Sequence, residues 1–285
     1  MLLTVGDLVE EILVQLKEAP VRGQDTQVRS ARIRGGSAAN VAAIDAEMGG
    51  TPRLVCQVGD DAVGYLLAED VRSRGVHVEV HHAGATGVIV TTVGLGVRSR
   101  LVDRGASRGP TTLDDLDLDG TTQLYLAASA FTEDPLASAI EGLLASLTER
   151  RIPIVVGGPS TADLELLGVD AFRELIRTLR PDAVVLNRAE HNAVGCQPRQ
   201  ALAGARTTVV TAGSRPTLVL ETSGEAESVP VAPVATIRDR TGAGDGFLAG
   251  FLASRRTGAD AVAACHAGHR VAARVLQNVG PTTGR

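Results

Sequence analysis

The chain has little to stack against a flat ring. It contains no Trp, two Tyr and four Phe, so aromatic residues make up 2% of its length. Sandwiching a nucleobase between aromatic faces is poorly supplied, and the core must be mostly aliphatic. Lysine is nearly missing too: Lys17 is the single one, and every other basic side chain is Arg. A Walker-type phosphate loop needs a lysine directly after its glycines, so that mechanism is excluded. Phosphate charge must be met by Arg, backbone N–H groups or a metal. Cys56, Cys196 and Cys265 are odd in number and widely separated, which leaves neither a disulfide framework nor a paired metal-ligand spacing. They read as small apolar residues of a reducing cytoplasm. No apolar run is long enough to span a membrane. The opening run, Leu2–Val5, meets Gly6 and Asp7 at once, the pattern of a first strand and not of a leader. A net charge of −5 argues against a general nucleic-acid or anionic-membrane surface.

What remains is a chain of 285 residues, 44% apolar and 21% charged, enough to bury one full core. Short apolar runs alternate with helical patterns. Strands are expected at Leu2–Val5, Leu54–Val58, Gln123–Ala127, Ile154–Val156, Ala183–Leu186 and Thr208–Thr211. Helices are expected at Ala38–Met48, Val63–Ser73, Leu136–Glu149, Ala171–Leu179 and Gln200–Ala205. This rhythm predicts a single α/β domain over residues 1–285, with a mostly parallel sheet flanked by helices. Two segments break it. Residues 12–34 and 77–107 are extended and rich in β-branched residues, and they are expected to form a small second sheet. Such a sheet would act as a lid that keeps water from a bound ligand.

The most informative stretch is Asp239-Arg240-Thr241-Gly242-Ala243-Gly244-Asp245-Gly246-Phe247. Gly242 and Gly244 leave the backbone bare, and Phe247, Leu248, Phe251 and Leu252 follow with helical spacing. The N–H groups of Ala243, Gly244 and Asp245 should therefore be the unpaired first-turn donors of a helix, which attract anions. A loop that merely held phosphate would not carry an Asp, which repels it. Asp245 makes sense as the group that takes a proton from a hydroxyl attacking that phosphate. The plainer alternative is a glycine turn capped by Asp.

Gly35-Gly36-Ser37-Ala38-Ala39-Asn40 pairs two glycines with a helix start, and Asn40 offers both a donor and an acceptor for sugar hydroxyls. A tight turn before a packed helix would look the same. Gly6-Asp7, with Glu10 and Glu11 beyond it, ends the first strand, at the edge where open α/β sheets bind ligands. Asn187 and Glu190 follow another strand; they suit either water-bound Mg²⁺ or a capping box. Thr211 and Gly213 follow the next strand and suit either a nucleotide contact or a turn.

Taken in order, Gly6-Asp7, Gly35–Asn40, Gly59-Asp60-Asp61-Ala62-Val63-Gly64, Asn187–Glu190 and Asp239–Asp245 resemble the ribokinase-like (PfkB-type) carbohydrate kinases. The resemblance covers almost the whole chain. It implies a Rossmann-like α/β domain with a β-sheet lid, ATP as donor and Mg²⁺ as metal. By that likeness Asp245 is the catalytic base, and Gly242, Ala243 and Gly244 form the anion hole. Asp7, Glu11, Gly35, Gly36 and Asn40 fall on sugar-contacting positions. Asn187, Thr211, Gly213, Gly242 and Gly244 fall on nucleotide positions, and Asn187 and Glu190 on the Mg²⁺ motif. Many members bind a monovalent cation such as K⁺ near the positions of Asp239 and Thr241. Arg98, Asp103 and Arg104, in the segment 98–106, resemble a lid segment of some sugar kinases; one of these arginines, Arg98 being the candidate, would meet a sugar phosphate or carboxylate, and a solvated strand face is the alternative for the others.

Three positions depart from the pattern. Arg240 replaces a small hydroxyl residue, Glu11 replaces an Asp, and the tail after Gly280 is short. The expected activity is ATP-dependent phosphorylation of a hydroxyl on a small sugar or sugar derivative. A nucleoside or sugar-phosphate kinase is the alternative within the class, and a non-catalytic ligand sensor the alternative outside it. A lid of this kind can also pair two copies into a homodimer. A Rossmann-type dehydrogenase would need its glycine fingerprint after the first strand, where Gly6 is followed by acids.

Overall fold

The computed structural model describes residues 1–110 and 112–284. In chain order the strands are β1 (Leu2–Val5), β2 (Val9–Leu16), β3 (Val28–Gly35), β4 (Arg53–Val58), β5 (His77–His82), β6 (Thr86–Gly94), β7 (Val97–Gly105), β8 (Gln123–Ala127), β9 (Ile154–Gly157), β10 (Ala183–Asn187), β11 (Thr207–Ala212), β12 (Arg215–Glu221) and β13 (Ala226–Val229). The helices are α1 (Ser37–Glu47), α2 (Ala62–Ser73), α3 (Leu136–Glu149), α4 (Thr161–Leu167), α5 (Val169–Leu179), α6 (Arg188–Ala193), α7 (Ala243–Arg256) and α8 (Ala261–Val275).

Nine strands form the main sheet in the order β13-β12-β11-β10-β9-β8-β1-β4-β5. From β11 across to β5 every pairing is parallel, while β12 and β13 close one edge antiparallel. Both faces of a parallel sheet are buried, which is why its strands read as continuous apolar runs. In β8, Leu124 and Leu126 point into one core with Ile140, Leu143, Phe172 and Ile176 of α3 and α5. The alternate residues Tyr125 and Ala127 point into the other, with Ile44 of α1, Phe247, Phe251 and Leu252 of α7, and Val271 of α8. Each face buries an aliphatic layer with few aromatic rings, as the composition requires.

The second sheet has the order β3-β2-β6-β7. It is rooted in the ligand edge of the main sheet: β2 follows β1 through Gly6, and β3 leads through Gly36 into α1. Lys17 is exposed just beyond β2, at the tip farthest from that root.

All six expected strands are present, with ends that move by at most one residue. Three expectations need correction. Residues 77–82 are not part of the lid: β5 pairs in parallel with β4 at the edge of the main sheet. Its alternation of Val with His and Glu is that of a half-covered edge strand, which resembles a lid strand in sequence. The lid also begins earlier than residue 12, at Val9, which pairs with Gly35. The expected helix Gln200–Ala205 is absent, and the segment is irregular, with one turn at Ala203 and Gly204. Six residues with Gly204 at φ +100° cannot offset the cost of helix nucleation.

Candidate active site

The order of the sheet creates the site. From β1 the chain builds one wing through β4 and β5, then returns to β8 and builds the other through β9, β10 and β11. Where the two wings part, a crevice opens at the carboxyl ends of the strands. A cavity of about 530 Å³ lies there. Asp7 after β1, Ser129 after β8, Gly158 after β9, Asn187 at the end of β10 and Thr211 in β11 all line it. The lid adds Glu11, Ile89, Arg98, Arg100, Val102 and Arg104 from above.

Two helix starts meet at its centre. Gly36, before α1, has φ +96°, and a Cβ there would collide with the Asp7 carbonyl. Gly242, before α7, has φ +78°, and a Cβ there would collide with Pro281. Glycine is required at both. Because α1 and α7 pack against each other, their first turns face. Ser37 and Asn40, three apart on one face of α1, bind the two oxygens of Asp245. Ser37 Oγ donates to Oδ1 at 2.6 Å and Asn40 Nδ2 to Oδ2 at 2.9 Å. Burial lifts the Asp245 pKa to about 6; the bonds from Ser37 and Asn40 oppose the rise, and the nearby Asp7 and Glu11 add to it. A carboxylate tuned towards neutrality is suited to act as a general base.

The adjoining amides form an anion cradle in part. Among the described residues, the N–H groups of Gly244 and Asp245 have no backbone acceptor, while that of Ala243 reaches the Arg240 carbonyl at 3.3 Å. Gly242 and Gly244 line the cavity beside Asp245. Free first-turn donors next to a carboxylate give a place where a phosphoryl group and an alcohol can meet.

Support for this centre comes from residues that the sequence did not single out. Tyr125 Oη lies 2.8 Å from Ser37 Oγ, and burial raises the phenol pKa so that it stays neutral. Arg34, the penultimate residue of β3, is 6% exposed. Its Nε donates to Asn40 Oδ1 at 3.1 Å, its Nη1 to Asp70 at 2.8 Å and its Nη2 to the Pro281 carbonyl at 2.8 Å. Asp163, buried at the start of α4, pairs with Arg104 and caps its own helix with Ser160. Ser37 lies inside the glycine motif and could have been found from its spacing to Asn40. Tyr125, Arg34 and Asp163 carry no sequence signal.

The other expected residues divide by position. Asp7 lines the cavity, 3.4 Å from Arg104 Nη1 and 3.4 Å from Ser129 Oγ. Glu11 lines it and accepts from Thr91 Oγ1 at 2.6 Å. Asn40 is already bonded at both ends of its amide. Gly36 lines the cavity, but Gly35 lies beneath it, paired with Val9. Arg98 and Arg100 line it, and among the described residues neither has an acidic partner. Asn187 and Glu190 cap each other, with Asn187 Oδ1 accepting from the Glu190 N–H and Glu190 Oε2 from the Asn187 N–H. Burial lifts the Glu190 pKa to about 7, opposed by the Asn187 N–H and reinforced by Asp163.

Thr211 lines the cavity, whereas Gly213 sits in the turn between β11 and β12. Asp239 lies outside the cavity lining; its Oδ1 accepts from the N–H and hydroxyl of Thr241 and its Oδ2 from the Gly280 N–H. Thr241 does line the cavity. Among the described residues no cluster of three or more His, Cys, Asp or Glu could hold a metal alone, and no helix is long and apolar enough to cross a membrane.

The model of pfkB family carbohydrate kinases matches residues 2–285. The chain belongs to that family. It is thus a phosphotransferase with an alcohol group as acceptor. A curated ribokinase of Arabidopsis thaliana is 26% identical over 270 residues, covering 88% of this chain and 69% of the relative. Among solved structures, a probable sugar kinase of Rhizobium etli superposes with TM-score 0.87 at 22% identity, over 100% of this chain and 95% of that one. Adenosine kinase of Sinorhizobium meliloti gives 0.84 at 21% identity, over 99% and 95%. An uncharacterized sugar kinase of Pyrococcus horikoshii in complex with ATP gives 0.80 at 22% identity, over 99% and 94%. At these identities the structures share the fold with this kinase, a parallel sheet with a lid. Sugar and nucleoside kinases both occur among them.

Proposed function

We propose that this kinase transfers the terminal phosphoryl group of ATP to a hydroxyl of a small sugar or sugar derivative, with Asp245 as general base. The observation that carries this reading is one carboxylate, lifted to about 6 and held by Ser37 and Asn40, beside the unpaired N–H groups of Gly244 and Asp245. Phosphoryl transfer passes through a loose transition state, so placement and neutralisation of charge supply most of the rate. In this arrangement the acceptor hydroxyl lies against Asp245, which removes its proton as the oxygen bonds to phosphorus. The cradle at Gly242–Gly244 takes the charge of the transferring group. Thr211 and Asn187, on the strand ends of the other wing, border the nucleotide.

The oxygen donors Asn187 and Glu190 suit Mg²⁺ held largely through water, since that ion keeps much of its hydration shell. When bound, Mg²⁺ supplies charge neutralisation for the phosphates. Asp239, expected beside K⁺, has both oxygens taken up in holding Thr241 and Gly280.

A second reading concerns the acceptor. In β7 alternate residues face the cleft, so Arg98 and Arg100 project into it beside Val102. Arg104 and Arg108 are matched by Asp7, Asp163 and Glu133, whereas among the described residues Arg98 and Arg100 have no ion-pair partner. This favours an acceptor that carries a phosphate or carboxylate. A nucleoside is less favoured, since the aromatic residues lining the cavity are Tyr125 and Phe247. The test is an ATP-consumption screen over neutral sugars, their phosphates and acids, and nucleosides, with Asp245→Asn as blank. Signal from a sugar class that vanishes in the blank supports the kinase. Silence across every class would leave a ligand sensor.

A further inference from the structure

We propose that Arg34 is a positioning residue for the reaction: its guanidinium fixes which end of the Asn40 amide faces Asp245, and so keeps the base aimed at the acceptor. The inference rests on Asp245 being that base. The two ends of an amide have nearly the same shape and opposite hydrogen-bonding character. Asp245 needs a donor from Asn40, because an amide oxygen turned towards a carboxylate would repel it. Asn40 alone cannot enforce that choice. A guanidinium has five donors and no acceptor, so the atom that meets Arg34 Nε must be Asn40 Oδ1. Nδ2 is thereby left to point at Asp245 Oδ2, as observed at 2.9 Å.

Burying a cation is costly unless every donor is used and the charge is answered. Arg34 is answered by Asp70 of α2, itself shared with Arg74. Its remaining fork holds the Pro281 carbonyl, and Pro281 is the residue that confines Gly242. One side chain thus braces both the base, through Asn40, and the wall of the anion cradle. It is also the last side chain of the lid strand β3 before Gly35 and Gly36 lead into α1.

Asp245 is faced by Ser37 and Asn40 from α1, by Asp7 beyond β1, by Glu11 of β2, and by Tyr125 of β8 through Ser37. Tyr125 is neutral and the two acids oppose ionisation of Asp245. Ser37 and Asn40 are therefore the groups that favour its charged form. An Asn40 amide free to flip would raise the Asp245 pKa and misplace its oxygen. A role confined to stability would leave that titration unchanged.

The experiment compares wild type, Arg34→Lys, Arg34→Met and Asn40→Ala. Lysine keeps a charge for Asp70 but has no fork to reach Asn40 and Pro281 together. The readouts are a carbon-13 NMR titration of the Asp245 carboxyl, assigned with Asp245→Asn, kcat with the acceptor found by the screen, and the Kd for ADP by calorimetry. The expected result is an upward shift of the Asp245 midpoint by at least about half a unit in both Arg34 variants. With it come a fall in kcat of about 10–100-fold and an ADP Kd within about twofold. On the Asn40→Ala background, Arg34→Lys should add less than about twofold, because the two residues act through one contact.

A Lys variant with wild-type midpoint and kcat overturns the proposal. So does a loss undiminished on the Asn40→Ala background, a loss of ADP binding in step with kcat, or a Lys variant that fails to fold. Failure of the kinase reading is distinct: wild type would then show no acceptor-dependent ATP consumption, while the NMR titration still decides the role of Arg34.

Discussion

At the floor of the cleft, Asp245 is bonded at both oxygens, Asn40 at both ends of its amide, and Arg34 on three sides. On the lid above it, Arg98 and Arg100 carry charge into the same cavity, and among the described residues neither forms an ion pair. The floor is wired before any substrate arrives. The lid waits for one. Networks that are fully satisfied hold geometry, as charge neutralisation in a transition state demands. Unpaired charges on a small, edge-exposed sheet can instead adapt to the ligand. In the proposed function, chemistry and choice of acceptor therefore fall to different parts of the chain.

The strongest way to break this comparison is Asp245→Asn. It should lower kcat by about 10²–10⁴-fold with the ADP Kd unchanged, measured by coupled turnover and calorimetry; near-full activity would remove the floor from the chemistry. Next is Gly242→Ala, which strains the φ +78° position and drives a methyl into Pro281. A loss of about 10²–10³-fold in kcat is expected if the cradle bears transition-state charge. The lid side is tested by Arg98→Gln with Arg100→Gln. The acceptor KM should rise about tenfold for a sugar phosphate or acid and little for a neutral sugar, with kcat within about threefold. The wild-type KM for the anionic acceptor should also rise with salt, and more than in the double variant.

The smallest effect concerns pH. With a folded pKa of about 6 against an ordinary value of 3.8, the base is lost by protonation, so kcat should fall as pH drops through about 6. The sign for stability is opposite. Between 3.8 and about 6 the native state binds more protons than the unfolded chain, so this group lowers stability as pH rises. Asp245→Asn should therefore raise Tm by roughly 2–4 °C at pH 7.5 and leave it nearly unchanged at pH 4, by calorimetric scans.

The sheet was legible because doubly buried parallel strands are continuous apolar runs between glycine turns. The helix start at the candidate centre was legible because two bare glycines precede an Asp and an aliphatic run of helical spacing. What escaped was set by packing over distance. Asn40 and Asp245 are 205 residues apart, and nothing local says that Arg34 or Tyr125 will stand behind them. Edge strand β5 was misassigned to the lid because its half-covered face alternates as a lid strand does. Asn187 and Glu190 show the reverse problem. Their spacing promised either a capping box or a metal motif; the box is formed, with both Glu190 oxygens turned to Asn187.

The scarcity of lysine has a practical outcome. Lys17 stands exposed at the tip of the lid. An amine-reactive dye on this side chain would therefore mark one known point in these 285 residues, the outer end of the second sheet.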